Sequence, residues 1–168
     1  PDNAAIEATR NITTNLTTID ANALGRHIDI TPQVDGTGNF VASNTGIVID
    51  GITFTRGQPD GTASLSGGSI FVSNCSARIS NSVFRANITA GFFANGTYAN
   101  GGAIYQVAYP NPTSPAPTFR ASQLTLEGNL FENNSTGRPS GTPAVPGAGS
   151  GGAIYSADFN TGNRQTVL

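Results

Sequence analysis

The sequence of 168 residues predicts an all-β protein, a right-handed parallel β-helix (solenoid) of roughly four to six coils with long loops. Three observations carry that prediction. A Gly-Gly-small-Ile-aromatic signature occurs three times, as Gly67-Gly68-Ser69-Ile70-Phe71, Gly101-Gly102-Ala103-Ile104-Tyr105 and Gly151-Gly152-Ala153-Ile154-Tyr155. Between the copies lies a second element in which Phe follows an aliphatic residue by five positions: Ile49 to Phe54, Ile79 to Phe84, Leu126 to Phe131. Helix formers are scarce, with no Lys, no Met and three Glu, while Thr, Ser, Asn, Gly, Ile and Val abound.

Each element follows from local chemistry. In Ile47-Val48-Ile49-Asp50, Ala77-Arg78-Ile79-Ser80 and Leu124-Thr125-Leu126-Glu127, alternation puts two apolar side chains on one face of a strand. A turn-prone pair such as Asp50-Gly51 or Ser80-Asn81 follows, and Phe then restarts an inward direction. The Phe positions are 30 and 47 residues apart, so variable loops interrupt a constant coil. Those loops are residues 57–66, 88–100 and 135–150, with a polyproline-like excursion over 108–118. Coils stacked about 4.8 Å apart would align Phe54, Phe84 and Phe131 in one core ladder and Ile70, Ile104 and Ile154 in another. An antiparallel sandwich would instead need short hairpin turns between equal strands.

Residues 1–168 read as a single β-helix segment, with degenerate N-terminal coils over 1–46 and the repeats over 47–168. Leu16 to Ile30 fits one degenerate coil, and Ala4 to Ala8 is read as a further strand. The last residues, Gln165-Thr166-Val167-Leu168, fall where another coil should start. The segment is therefore expected to adjoin more of the same larger protein or assembly, and to aggregate if expressed alone.

Gly101-Gly102-Ala103-Ile104 and Gly151-Gly152-Ala153-Ile154, alternating with Phe84-Arg85-Ala86-Asn87 and Phe131-Glu132-Asn133-Asn134, resemble the GGA[ILV]/FxxN repeat of the polymorphic outer-membrane protein (Pmp) family. Gly67-Gly68-Ser69-Ile70 departs from the first tetrapeptide, and Phe54-Thr55-Arg56-Gly57 lacks the closing Asn of the second. The resemblance spans residues 47–155. It implies a pectin-lyase-like β-helix used for surface display and adhesion. In that pattern Asn87 and Asn134 take the corner position, where an inward amide bonds the backbone of neighbouring coils.

Charge and chemistry narrow the function. Charged residues are 11% of the chain and the net charge is −2, so nucleic acid is a poor partner. No apolar run approaches a membrane span, and no membrane insertion is expected. Cys75, the one cysteine, reads as a small buried hydrophobe. Asp50, Ser80 and Glu127 share a register, which places two carboxylates on one face with a serine between them. They read as turn carboxylates rather than an acid–base pair. His27 has no nucleophile motif beside it and reads as an exposed or hydrogen-bonded strand histidine. Residues 147–152 form a glycine-rich turn without the Lys-Ser/Thr of a phosphate loop.

Seven Asn-x-Ser/Thr sequons recur, at Asn11, Asn15, Asn74, Asn87, Asn95, Asn133 and Asn134. Asn95, in the 88–100 connection, is expected to carry most glycan. Asn11, Asn15, Asn74 and Asn133 are intermediate, and the inward Asn87 and Asn134 are expected bare. The reading is a non-enzymatic structural or adhesive module of a secreted or cell-surface glycoprotein. It has no catalytic, cofactor or metal residues, N-glycans as its covalent additions, and surface glycans or proteins as further partners. The alternative is a carbohydrate-active or carbohydrate-binding β-helix.

Overall fold

The computed structural model describes residues 17–34, 36, 40–42, 46–59, 66–89, 99–108, 123–136 and 151–158. Within them the chain is all-β and contains no helix. Each pass of the chain visits the same parallel sheets in the same order. One sheet takes β1 (Thr17–Asp20), β6 (Ile52–Thr55), β9 (Val83–Arg85) and β13 (Leu130–Glu132), each beside the next. A second takes β2 (Ile28–Ile30), β7 (Ile70–Ser73), β11 (Ile104–Ala108) and β15 (Ile154–Asp158). The third takes β5 (Ile47–Asp50), β8 (Ala77–Ser80) and β12 (Leu124–Glu127). A short fourth pairs β10 (Ile88–Thr89) with β14 (Ser135–Thr136), strands that sequence alternation does not announce.

Register superimposes the repeats residue on residue. Phe54 lies beside Phe84 and Phe84 beside Phe131; Ile28, Ile70, Ile104 and Ile154 form another column. The core is built from these columns, with Phe54, Phe84, Ile70, Ile79, Ile104 and Leu124 fully buried. Phe84 stacks on Phe54 at 5.2 Å between centroids and on Phe131 at 4.9 Å. Burying an aromatic ring in such a column removes its apolar surface from water and adds about 0.5–1.5 kcal/mol per well-stacked pair.

The paired glycines have separate jobs. Gly67, Gly101 and Gly151 hold φ of +72°, +68° and +69°, a conformation that side-chain-bearing residues adopt only under strain. Gly102 is needed for a different reason, because a Cβ there would overlap the carbonyl oxygen of Gly152 in the next pass. The small residue that follows closes the corner: the Ala103 carbonyl accepts from Ser69 N–H at 2.8 Å, and the Ala153 carbonyl from Ala103 N–H at 2.8 Å.

Two features depart from a uniform parallel stack. β3 (Gln33–Val34) and β4 (Phe40–Ala42) pair antiparallel, so the N-terminal 46 residues contain a hairpin as well as a degenerate coil. Gln106 occupies the core column of Val72 and is itself fully buried; its Oε1 accepts from Ser156 one pass on, at 2.9 Å. The sequence segments read as a further strand at residues 4–8 and a polyproline-like excursion at 108–118 fall outside the described residues, save Ala108 at the end of β11.

Candidate functional site

The asparagine of the FxxN element is a corner fastener. Asn87 follows the tight turn at Ala86, where φ is +53°, and its side chain points back toward the preceding pass. Its Nδ2 donates to the Phe54 carbonyl at 3.1 Å and its Oδ1 accepts from Gly57 N–H at 2.8 Å. Asn134 repeats the arrangement one pass later, donating to the Phe84 carbonyl at 2.8 Å and accepting from Asn87 N–H at 3.0 Å. Asn129 does the same at a second corner, bonding the Ile79 carbonyl at 2.8 Å and Ser82 N–H at 2.9 Å. The sequence reading missed Asn129 and Ser82, whose only signal is their shared offset two residues before Phe131 and Phe84.

His27 closes the phenylalanine column. Its ring meets Phe54 edge-on at 5.3 Å, in the pass where Ile19 rather than Phe holds the register position. Nε2 lies 3.1 Å from the Ile19 carbonyl and Nδ1 3.1 Å from Ser69 Oγ, so Nε2 is the protonated nitrogen and Nδ1 accepts the hydroxyl. Burial pushes this imidazole below the usual histidine range, against the opposing pull of the Ile19 and Thr55 carbonyls and the Asp20 charge. His27 lies just before β2 rather than within a strand.

Four carboxylates are tied to neighbouring passes, while Asp29 pairs with Arg26 three residues before it. Asp50 accepts from Ser80 Oγ at 2.7 Å and from Asn81 Nδ2 at 2.9 Å. Glu127 takes Arg78 at 2.5 Å, Glu132 takes Arg85 at 2.7 Å, and Asp20 is held by Arg56. The Arg56 guanidinium, and then the Asn22 N–H, keep Asp20 below the ordinary carboxylate range. Asp50 and Glu127 do share a column, with Ser80 between them. Among the described residues no three His, Cys, Asp or Glu side chains gather where a metal ion could be held. Cys75 is buried and takes part in no disulfide.

An aromatic stack decorates the second sheet. Phe71, Tyr105 and Tyr155 lie in register and stack at 5.6 and 5.4 Å with nearly parallel planes. The Arg26 guanidinium sits 5.1 Å over the Phe71 ring while donating to the carbonyls of Gly67 and Ser66. Ring faces are thus turned onto one another, and Tyr105 is 7% exposed.

The sequons separate. Asn74 is 2% exposed and Asn87 fully buried, Asn134 is half-buried, and Asn133 is exposed. Asn11, Asn15 and Asn95 lie outside the described residues. Comparisons with protein-family models, curated proteins and solved structures find no match to this chain.

Proposed function

We propose that this chain is a segment of right-handed parallel β-helix that serves as a non-enzymatic structural or adhesive module of a secreted or cell-surface glycoprotein. The cyclic order of parallel sheets supports the solenoid, and a strand–crossover–parallel strand connection is right-handed in about 98% of cases. The resemblance to the Pmp-like repeat points the same way. Its partners are adjoining segments of the same larger protein, together with surface glycans or proteins.

The observation that carries the reading is where the polar side chains go. Asp20, Asp50, Glu127 and Glu132 each engage a residue of a neighbouring pass, and Asn87, Asn129 and Asn134 each bond two backbone groups of the pass before. Such side chains hold a rod together rather than act on a substrate. The rival carbohydrate-active reading needs paired carboxylates with a free approach and an open aromatic face. Here two carboxylates two strands apart, about 9–10 Å, are already paired, and both faces of Tyr105 are covered by Phe71 and Tyr155.

The test is incubation of the folded chain with acidic and neutral polysaccharides, alongside a cell-surface and matrix attachment assay. Saturable attachment with no new reducing ends and no unsaturated products is the expected result. Product formation abolished by Asp50→Asn or Glu127→Gln would establish the enzymatic alternative instead.

A further inference from the structure

Four sequons fall on described residues, and only one presents both its amide and its hydroxyl to solvent. Asn74 is 2% exposed with the buried Cys75 as its middle residue. Asn87 is fully buried, its Nδ2 donates to both the Phe54 carbonyl and Asn134 Oδ1, and the hydroxyl of its sequon belongs to Thr89, 1% exposed. An N-linked sugar replaces one hydrogen of that nitrogen, so one of the two bonds would be lost and a sugar ring forced between passes. Asn134 is the near competitor, half-buried and donating to the Phe84 carbonyl at 2.8 Å.

Asn133 differs from all three. It sits at the left-handed corner, with φ of +54°, in the place held by Arg56 and Ala86 in earlier passes. The corner turns its side chain away from the core, and among the described residues that side chain makes no hydrogen bond. Ser135, which completes its sequon, is exposed as well.

We propose that Asn133 is the N-glycan acceptor among these four sequons, the other three being closed by the fold. The inference rests on the secreted-glycoprotein reading above. In the transfer step the Asn133 Nδ2 attacks the anomeric carbon of a lipid-pyrophosphate-linked oligosaccharide. The new N-glycosidic bond forms as the bond from that carbon to the pyrophosphate oxygen breaks; the amide loses one proton and the lipid pyrophosphate leaves. Transfer meets an extended chain, so the fold acts afterwards as a filter. A chain modified at Asn74 or Asn87 cannot close its pass, whereas one modified at Asn133 folds with the glycan in solvent.

The overlapping sequons allow a sharp test. The full chain is secreted from a eukaryotic host behind an added signal peptide, and glycosidase release in heavy-oxygen water marks each acceptor as a labelled Asp for mass spectrometry. Label at Asn133 is expected in the folded, secreted fraction. It should vanish in Ser135→Ala, which leaves the Asn134 sequon intact, and persist in Thr136→Ala, which destroys the Asn134 sequon. Asn133→Gly, which keeps the left-handed corner, should lose the label and melt like the deglycosylated parent. Label at Asn74, Asn87 or Asn134 in folded protein, or a bare Asn133, overturns the assignment. Protein from its native source that lacks glycan, where the host's protein carries it at Asn133, would sink the secreted-glycoprotein reading and leave the acceptor geometry standing.

Discussion

Asn134 Oδ1 accepts two hydrogen bonds from Asn87 in the preceding pass, one from its backbone N–H at 3.0 Å and one from its Nδ2 at 2.9 Å. Asn87 in turn bonds the Phe54 carbonyl and Gly57 N–H, so one side chain joins three passes. Polar groups buried this way stabilise because the alternative, leaving them unpaired, is costly.

Asn87→Ala should therefore destabilise the fold by about 3 kcal/mol, since several buried donors and acceptors lose their partner together. Asn134→Ala, at a half-buried corner, should have a smaller effect. Denaturant melts of the two variants check the order, and equal losses would mean that burial does not set the cost.

Phe84 has a ring on each face, and Phe131 is only half-buried. Phe84→Ala is expected to cost about 3–5 kcal/mol through lost transfer energy and an unfilled cavity. Phe131→Ala should cost clearly less, as read by chemical denaturation. An unchanged melting temperature for Phe84→Ala would contradict the stacked column.

Gly102 and Gly152 are the same residue of the repeat in different surroundings. A Cβ at Gly102 meets the Gly152 carbonyl and the Ser135 backbone, whereas among the described residues one at Gly152 meets nothing within 4 Å. Gly102→Ala should prevent folding or lower stability by several kcal/mol, of the order of overpacked or strained sites. Gly152→Ala should stay within about 0.5 kcal/mol of the parent. Circular dichroism melts of the two chains decide it.

His27 ties stability to pH. Its pKa is lowered in the folded state from an ordinary 6.5, so the unfolded chain binds the extra proton first and acid favours unfolding. Stability should be full above about pH 6.5 and fall as pH drops from there toward the folded-state value. Asp20, whose pKa is lowered from 3.8, adds a separate loss only below that value. The charges nearest the ring, Asp20 and its partner Arg56, are fixed as an ion pair across the upper window. His27→Gln should flatten the decline below pH 6.5 in a series of thermal melts; an unaltered slope would show that another group is responsible.

Much of the architecture was legible because a strand's side chains alternate with a period of two. Repeated offsets alone placed Phe54, Phe84 and Phe131 in one column and Ile70, Ile104 and Ile154 in another, and the structure stacks both columns in register. The shared register of Asp50, Ser80 and Glu127 was legible for the same reason. The hairpin at Gln33–Val34 and Phe40–Ala42 was not, because two- and three-residue strands carry too little alternation to announce a direction.

What the sequence determined by itself is the repeat: which positions face inward, where the chain turns, and that its composition favours strands. Only the tertiary structure decided which polar side chains are consumed inside. Asn129 and Ser82 fasten a corner, Gln106 sits in an apolar column, and His27 caps a phenylalanine stack. The Asn129 partners Ile79 and Ser82, the Gln106 partner Ser156 and the His27 partner Ser69 lie 42 to 50 residues away along the chain. Alternation reports which face a side chain takes, but whether a polar one is buried depends on finding a hydrogen-bond partner there, and that partner comes from another pass. The contrast between Asn133 and Asn134 has the same origin: adjacent in sequence and both within sequons, they are set in opposite directions by one left-handed corner.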